Sequence, residues 1–372
     1  MLSLDDQIRL RKLACPATRQ PLLREPSRED RLVTPDRQLS YPLVAGVPIL
    51  LADPEVAAGY LAEQAGSMVA EYTQLRRSLL RSVADRLTAA VGDQRTADSE
   101  QAFRAALADL PEDALCVSVG GGPLRIDPRL VNLNIGAFPN VDVVADAYRL
   151  PYADGAVDAF HCEAVLEHLE EPQRAVAEMY RALCPGRLVY AATPFLQVFH
   201  GYPSHFQNFT LIGHRRLFER EGFTVLQAGV CVGPAFALRD LTLNAIRTAL
   251  PGGRLGRILS RLLALPTLPL LWLDRLTRKN PAAHVLASTT YLLARKPAAA
   301  AGPNPDARPR ARRVGARRRG GEAGRMSSGS GAGGLPCWCR ACVAGIGTPP
   351  LDLLFSRVYG HSSTSEPDHH PS

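Results

Sequence analysis

The 372-residue sequence predicts an α/β fold in which a mainly parallel sheet is covered by helices. Two observations predict it. Strand-like runs alternate with helical ones between Leu115 and Lys296, and a turn of three glycines, Gly120-Gly121-Gly122, follows the first run directly.

The elements can be justified in chain order. Met1–Leu13 alternates charged and apolar residues and has no continuous apolar stretch of the secretory kind, so a cytoplasmic chain is expected. Residues 1–53 read as a small β unit, because Tyr41–Val44 and Val47–Leu51 flank the turn at Gly46. Residues 54–113 read as a helical linker, with Leu75, Leu79, Leu80, Val83 and Leu87 at three- and four-residue steps. The main domain, 114–296, offers strands at Leu115–Val119, Leu130–Asn134, Val141–Ala145, Val157–His161 and Leu188–Thr193, with a helix at Pro172–Leu183. Two later runs, Thr224–Val232 and Ser288–Ala294, are expected to pair as an antiparallel hairpin at one edge, around a Leu-rich helical insertion at 235–284. Residues 297–372 are Ala-, Gly-, Pro- and Arg-rich, bury too little to offset ordering entropy, and read as a disordered basic tail.

Composition narrows the function. Of the net charge of +7, the tail from Ala298 carries ten Arg against five Asp or Glu, which leaves about +2 for everything before it and argues against a nucleic-acid footprint there. Cys15, Cys116, Cys162, Cys184 and Cys231 are scattered singly, as reduced thiols are. Leu262–Leu273 is too short and Pro-interrupted to span a bilayer, which leaves room for a peripheral membrane contact only.

Three places carry the chemistry. Glycines after the first strand let a backbone approach a nucleotide at the carboxyl edge of the sheet. At the end of the next strand, Asn134 stands where such sheets usually set an acidic residue for the ribose hydroxyls; its carbonyl oxygen still accepts, without charge. Asp146-Ala147 follows the third strand, where a carboxylate can accept from an adenine amine and an apolar neighbour can pack on the ring.

The series Asp146–Pro151, Tyr152–Asp158, Glu163–Leu169, Glu171-Pro172, Glu178–Leu183 and Pro185–Leu188 resembles successive motifs of class I S-adenosylmethionine-dependent methyltransferases, in the style of the ubiquinone-biosynthesis enzymes. The resemblance covers about Leu115 to Gly233. It implies a Rossmann-like sheet with S-adenosylmethionine as cofactor. Gly120, Gly121 and Gly122 would line its methionine part, Asn134 the ribose, and Asp146 with Ala147 the adenine. Cys162, Glu163 and His168 would face the reaction centre. The short interval between the glycines and Asn134 departs from the family, as does Asn134 itself.

The loop Thr193–Thr210 mixes His, Tyr, Gln and Asn with aromatics and is suited to line an acceptor pocket. His168, His200 and His205 are the candidate general bases. The acceptor expected is a small molecule, a glycan or a lipid-linked compound. Two other readings stand beside this one: a non-catalytic binding module, suggested by Asn134 and the short first crossover, and a nucleic-acid methyltransferase, suggested by the N-terminal unit and the Arg-rich tail.

Residues Leu13–Thr18 and Leu39–Leu51 resemble the zinc-ribbon-like activator subunit of transfer-RNA and protein methyltransferases. Thr18 occupies the place of the second cysteine of a C-x-x-C pair, so no metal is expected there. In the tail, Cys337, Cys339 and Cys342 lack a fourth ligand, and no metal is expected there either.

Overall fold

The computed structural model describes residues 1–52, 95–122, 125–200, 204–250, 255–256, 259, 262–263 and 265–298. The expected tail, most of the expected helical linker and part of the helical insertion lie outside them.

The described residues form one eleven-stranded sheet. Its strands are β1 (Leu23–Glu25), β2 (Arg28–Val33), β3 (Ser40–Val44), β4 (Val47–Leu50), β5 (Cys116–Val119), β6 (Leu130–Asn134), β7 (Val143–Ala145), β8 (Val157–Glu163), β9 (Leu183–Pro194), β10 (Thr224–Val232) and β11 (Thr289–Arg295). The order is β1-β2-β3-β4-β7-β6-β5-β8-β9-β11-β10. The run from β4 to β9 is parallel throughout, and β9-β11-β10 is antiparallel, as the edge hairpin was expected to be.

The N-terminal unit is part of the same sheet. Ile49 and Leu50 of β4 pair in parallel with Val144 and Ala145 of β7, so the unit continues the main sheet. Lys12 is ion-paired to Asp158 at 2.8 Å and Arg19 to Glu178 at 2.8 Å. Cys15 is fully buried beside the Tyr41 hydroxyl at 3.1 Å, and Thr18 donates its backbone N–H to the same sulfur at 3.4 Å.

Helices cover the sheet for reasons visible in their sequences. Helix α2 (Ala97–Leu107) starts at Thr96, whose hydroxyl accepts from the Ser99 N–H, and turns Ala102, Phe103, Ala106 and Leu107 onto one face of the sheet. Helix α3 (Pro172–Ala182) begins with a proline at its first turn, where no N–H is needed. Its Ala175, Val176, Met179 and Ala182 recur at helical spacing and are buried on the other face with α4 (Leu211–Arg220) residue Phe218. Burying a side chain such as Val176 or Met179 contributes roughly 1.5–3 kcal/mol. The short α1 (Leu4–Arg9) belongs to the N-terminal unit.

Between β10 and β11 lie α5 (Pro234–Ala249) and α6 (Leu268–Thr277), which pack on each other. Asp274 of α6 is buried and its carboxylate accepts from the Ala235 N–H at 2.9 Å, capping α5 from outside. Among the described residues no helix is long and apolar enough to cross a membrane.

Between β5 and β6, where such folds place a helix, the described residues form a loop. Arg125 ties it down: its guanidinium is paired with Asp142 at 2.8 Å and donates to the Leu130 and Asn140 carbonyls.

Candidate active site

From β5 the chain proceeds to β6 and β7 on one side, then returns to β8 and β9 on the other. A sheet whose order reverses at this point leaves a crevice beyond the carboxyl ends of its central strands, where ligands of open α/β sheets bind. The structure has a cavity of about 380 Å³ there.

Each strand end contributes to its wall: Val119 and Gly120 from β5, Leu133 and Asn134 from β6, and Ala145 to Tyr148 after β7. Ala164, Val165, His168 and Leu169 close it beyond β8, and Ile135 and Phe138 add apolar surface. Such a cavity, mostly apolar with a few placed acceptors, has the size and chemistry of a nucleoside-sized ligand site.

The local backbone requires some of these residues. Gly120 has φ +72°, and a Cβ there would overlap the Val165 side chain. Asn134 accepts the Gly136 N–H on Oδ1 at 2.9 Å, and Asp146 accepts the Tyr148 N–H on Oδ1 at 2.9 Å. Both strand ends are thus held in turns by their own side chains. Neither bond uses all of its side chain's accepting capacity, so both can take a ligand donor as well.

The structure therefore brings together Gly120, Asn134, Asp146, Ala147 and His168. It does not bring Cys162, Glu163, Gly121 or Gly122 to the cavity wall. Cys162 points to the opposite side of β8 from its neighbours and packs in the hydrophobic core, where burial pushes its thiol far up. Glu163 is drawn instead to Arg95 at 2.7 Å and to the His161 ring at 3.3 Å. His161, with its Nδ1 at 3.1 Å from the Ser118 hydroxyl, stacks on Tyr190 beneath α2. Side chains alternate along a strand, so His161 and Glu163 face one side of β8 and Cys162 the other. Gly121 rests on Asn132, and Gly122 accepts from it, so both belong to the support of the loop.

Beside the cavity, the three candidate histidines form a group. The His168 and His200 rings are 5.2 Å apart, and His200 and His205 are 4.4 Å apart. Burial lowers the His168 pKa. Its neighbour Glu167 is fully buried, and burial raises its carboxyl above the usual range. Glu167 was not singled out as a site residue by sequence reasoning, although it adjoins His168 in the quoted motif. Tyr148, Phe138 and Leu169 were also missed; nothing distinguishes such residues in a sequence from ordinary core.

Comparison with known proteins agrees in kind. Residues 124–191 match a family described as a methyltransferase domain. A chloroplastic methyltransferase of Arabidopsis thaliana is 46% identical over 63 residues, which are 16% of this chain and 18% of that protein. The match thus spans less than a fifth of the relative's length. Among solved structures, the cyclase SpnF shares 18% identity over 54% of this chain and 80% of its own, with a TM-score of 0.34. The phosphoethanolamine N-methyltransferase 2 of Haemonchus contortus, solved with S-adenosyl-L-methionine, shares 11% identity over 54% of this chain and 52% of its own, with a TM-score of 0.35.

Proposed function

We propose that the chain, whose residues 124–191 match a methyltransferase domain, transfers the methyl group of S-adenosylmethionine to an oxygen or nitrogen of a small-molecule, glycan or lipid-linked acceptor. The observation that carries this reading is the convergence of Gly120, Asn134, Asp146 and Ala147 on one cavity, with His168 at its edge. Gly120 admits the methionine part, Asn134 accepts from the ribose, and Asp146 accepts from the adenine amine while Ala147 packs on the ring. The acceptor approaches from the side of His168, His200 and His205. Methyl transfer needs the acceptor atom in line with the sulfonium methyl, which is mainly a matter of positioning, and a hydroxyl must also lose its proton.

Calorimetric titration of S-adenosylmethionine and S-adenosylhomocysteine into the intact protein and an Asp146→Ala variant tests the cofactor assignment. Binding that weakens at least tenfold in the variant supports it. A folded protein that binds neither compound would favour a non-catalytic module.

A second observation favours an acceptor met at a membrane surface. On α5 and α6, Leu238, Leu241, Trp272, Leu273 and Leu276 are exposed. Pro234–Leu286 holds eight Arg or Lys against two Asp, whereas Met1–Gly233 holds 23 basic against 29 acidic residues. One of those two aspartates, Asp274, is buried as a helix cap. A basic, apolar segment on an otherwise acidic body is complementary to an anionic bilayer surface.

A further inference from the structure

Glu167, His168 and His200 meet at one point. The carboxylate oxygen Oε1 of Glu167 is 3.8 Å from His168 Nε2 and 3.8 Å from His200 Nε2, and the three atoms lie within 4.8 Å of one another. Glu167 is fully buried, and its Oε1 has no hydrogen-bond partner among the described residues. Its other oxygen accepts from the Thr193 hydroxyl at 3.3 Å, which fixes the direction in which Oε1 points.

The two imidazoles are oriented from behind. His168 Nδ1 faces the Ser204 carbonyl and His200 Nδ1 faces the Val198 carbonyl at 2.9 Å. A carbonyl only accepts, so each Nδ1 carries the hydrogen and each neutral ring turns an Nε2 lone pair inward. His205 accepts the His200 backbone N–H on Nδ1 at 3.2 Å and faces Asn208 Oδ1 with Nε2 at 2.7 Å, so it braces the loop and is not a third imidazole donor.

Three electron-pair donors therefore converge with no hydrogen between them. Arrangements of this kind are stabilised by a positive charge at their centre. Two imidazoles and a carboxylate are the donor set of a divalent first-row cation. Imidazoles held by backbone carbonyls through their second nitrogen are the usual outer support of such a site.

We propose that Glu167, His168 and His200 bind a divalent first-row metal ion, of the manganese, cobalt or zinc class, at the edge of the cofactor cavity. This departs from the sequence reading, which expected no metal. The inference rests in part on the proposed methyl transfer for its purpose, since His168 lines the cavity as well. An acceptor hydroxyl bound to the ion would lose its proton to solvent. Its oxygen would then form the new O–CH3 bond as the S–CH3 bond breaks, and S-adenosylhomocysteine would keep the electron pair.

The test is metal binding by the full-length protein without cofactor or acceptor. After chelator treatment, Co(II) is titrated in by calorimetry, while its visible absorption reports imidazole and carboxylate coordination. The expected result is binding that weakens at least tenfold in both Glu167→Gln and His200→Ala, with circular dichroism unchanged in the latter, whose residue lies in an exposed loop. Affinity unaffected by either substitution places the ion elsewhere, for instance on Cys337, Cys339 and Cys342, and overturns the proposal. So does a folded wild-type protein that takes up no ion. Neither result touches S-adenosylmethionine binding, which is measured separately in metal-free buffer.

Discussion

The side-chain amide of Asn132 lies directly under Gly121. Its Nδ2 donates to the Gly122 carbonyl at 2.8 Å and to the Asn140 carbonyl at 3.0 Å, and a Cβ on Gly121 would overlap its Oδ1. With no helix among the described residues between β5 and β6, this side chain joins the glycine loop to the neighbouring strand connections. Gly121→Ala must displace the amide and with it the loop. We expect S-adenosylmethionine binding at least tenfold weaker by calorimetry and a lower melting temperature. Unchanged binding would show that the loop does not depend on Asn132.

Asn134 supplies a neutral acceptor where a carboxylate would supply a charged one. Hydrogen bonds to a charged group exceed neutral ones by about 1 kcal/mol. Asn134→Asp is therefore expected to tighten S-adenosylmethionine by roughly fivefold, since 1.4 kcal/mol is tenfold. The variant's dissociation constant is the readout, and weaker binding would place the ribose elsewhere.

His214 gives the fold an acid-sensitive point. It is fully buried against Phe218, its Nδ1 faces the Thr290 hydroxyl at 3.3 Å, and its Nε2 has no partner among the described residues. Burial depresses its pKa to about 3. Below an unfolded pKa of about 6.5 the unfolded chain takes up a proton that the folded chain refuses. Stability is thus full above that value and falls as the pH drops toward 3. Urea unfolding at a series of pH values should show a shallower acid slope in His214→Phe than in the wild type.

The proposed membrane contact through α5 and α6 can be tested with Trp272, one of two tryptophans in the chain. In a Trp338→Phe background, its emission should shift to the blue with phosphatidylcholine vesicles containing phosphatidylglycerol, and not with phosphatidylcholine alone. High salt should reverse the shift, because the attraction is screened. Trp272→Ala with Leu276→Ser should reduce vesicle cosedimentation several-fold. Equal binding to both vesicle types would remove the electrostatic argument.

Much of this architecture was legible because the strands are continuous apolar runs bounded by turns. Leu130–Asn134 coincides with its strand, and Asp146 directly follows β7. The side on which Cys162 and Glu163 lie was lost, because a strand buried on both faces has no polar alternation to read. The convergence of Glu167 with His200 was hidden for another reason. It depends on a loop 33 residues away folding back, and no local pattern encodes that return. The joining of Ile49 to Val144 was likewise beyond local reading, since sheet pairing between distant segments is decided by the whole fold.

That last pairing has a practical consequence. The strand β7 would otherwise end the parallel sheet with a row of unsatisfied N–H and C=O groups, a template for intermolecular pairing. Residues 1–51 close that border before it meets solvent. A shortened chain starting near Ala114 would retain every wall of the cavity and still present a raw sheet margin. It is expected to accumulate as insoluble material on expression, while the longer chain does not. Solubility, as much as recognition, would then be what the N-terminal unit contributes.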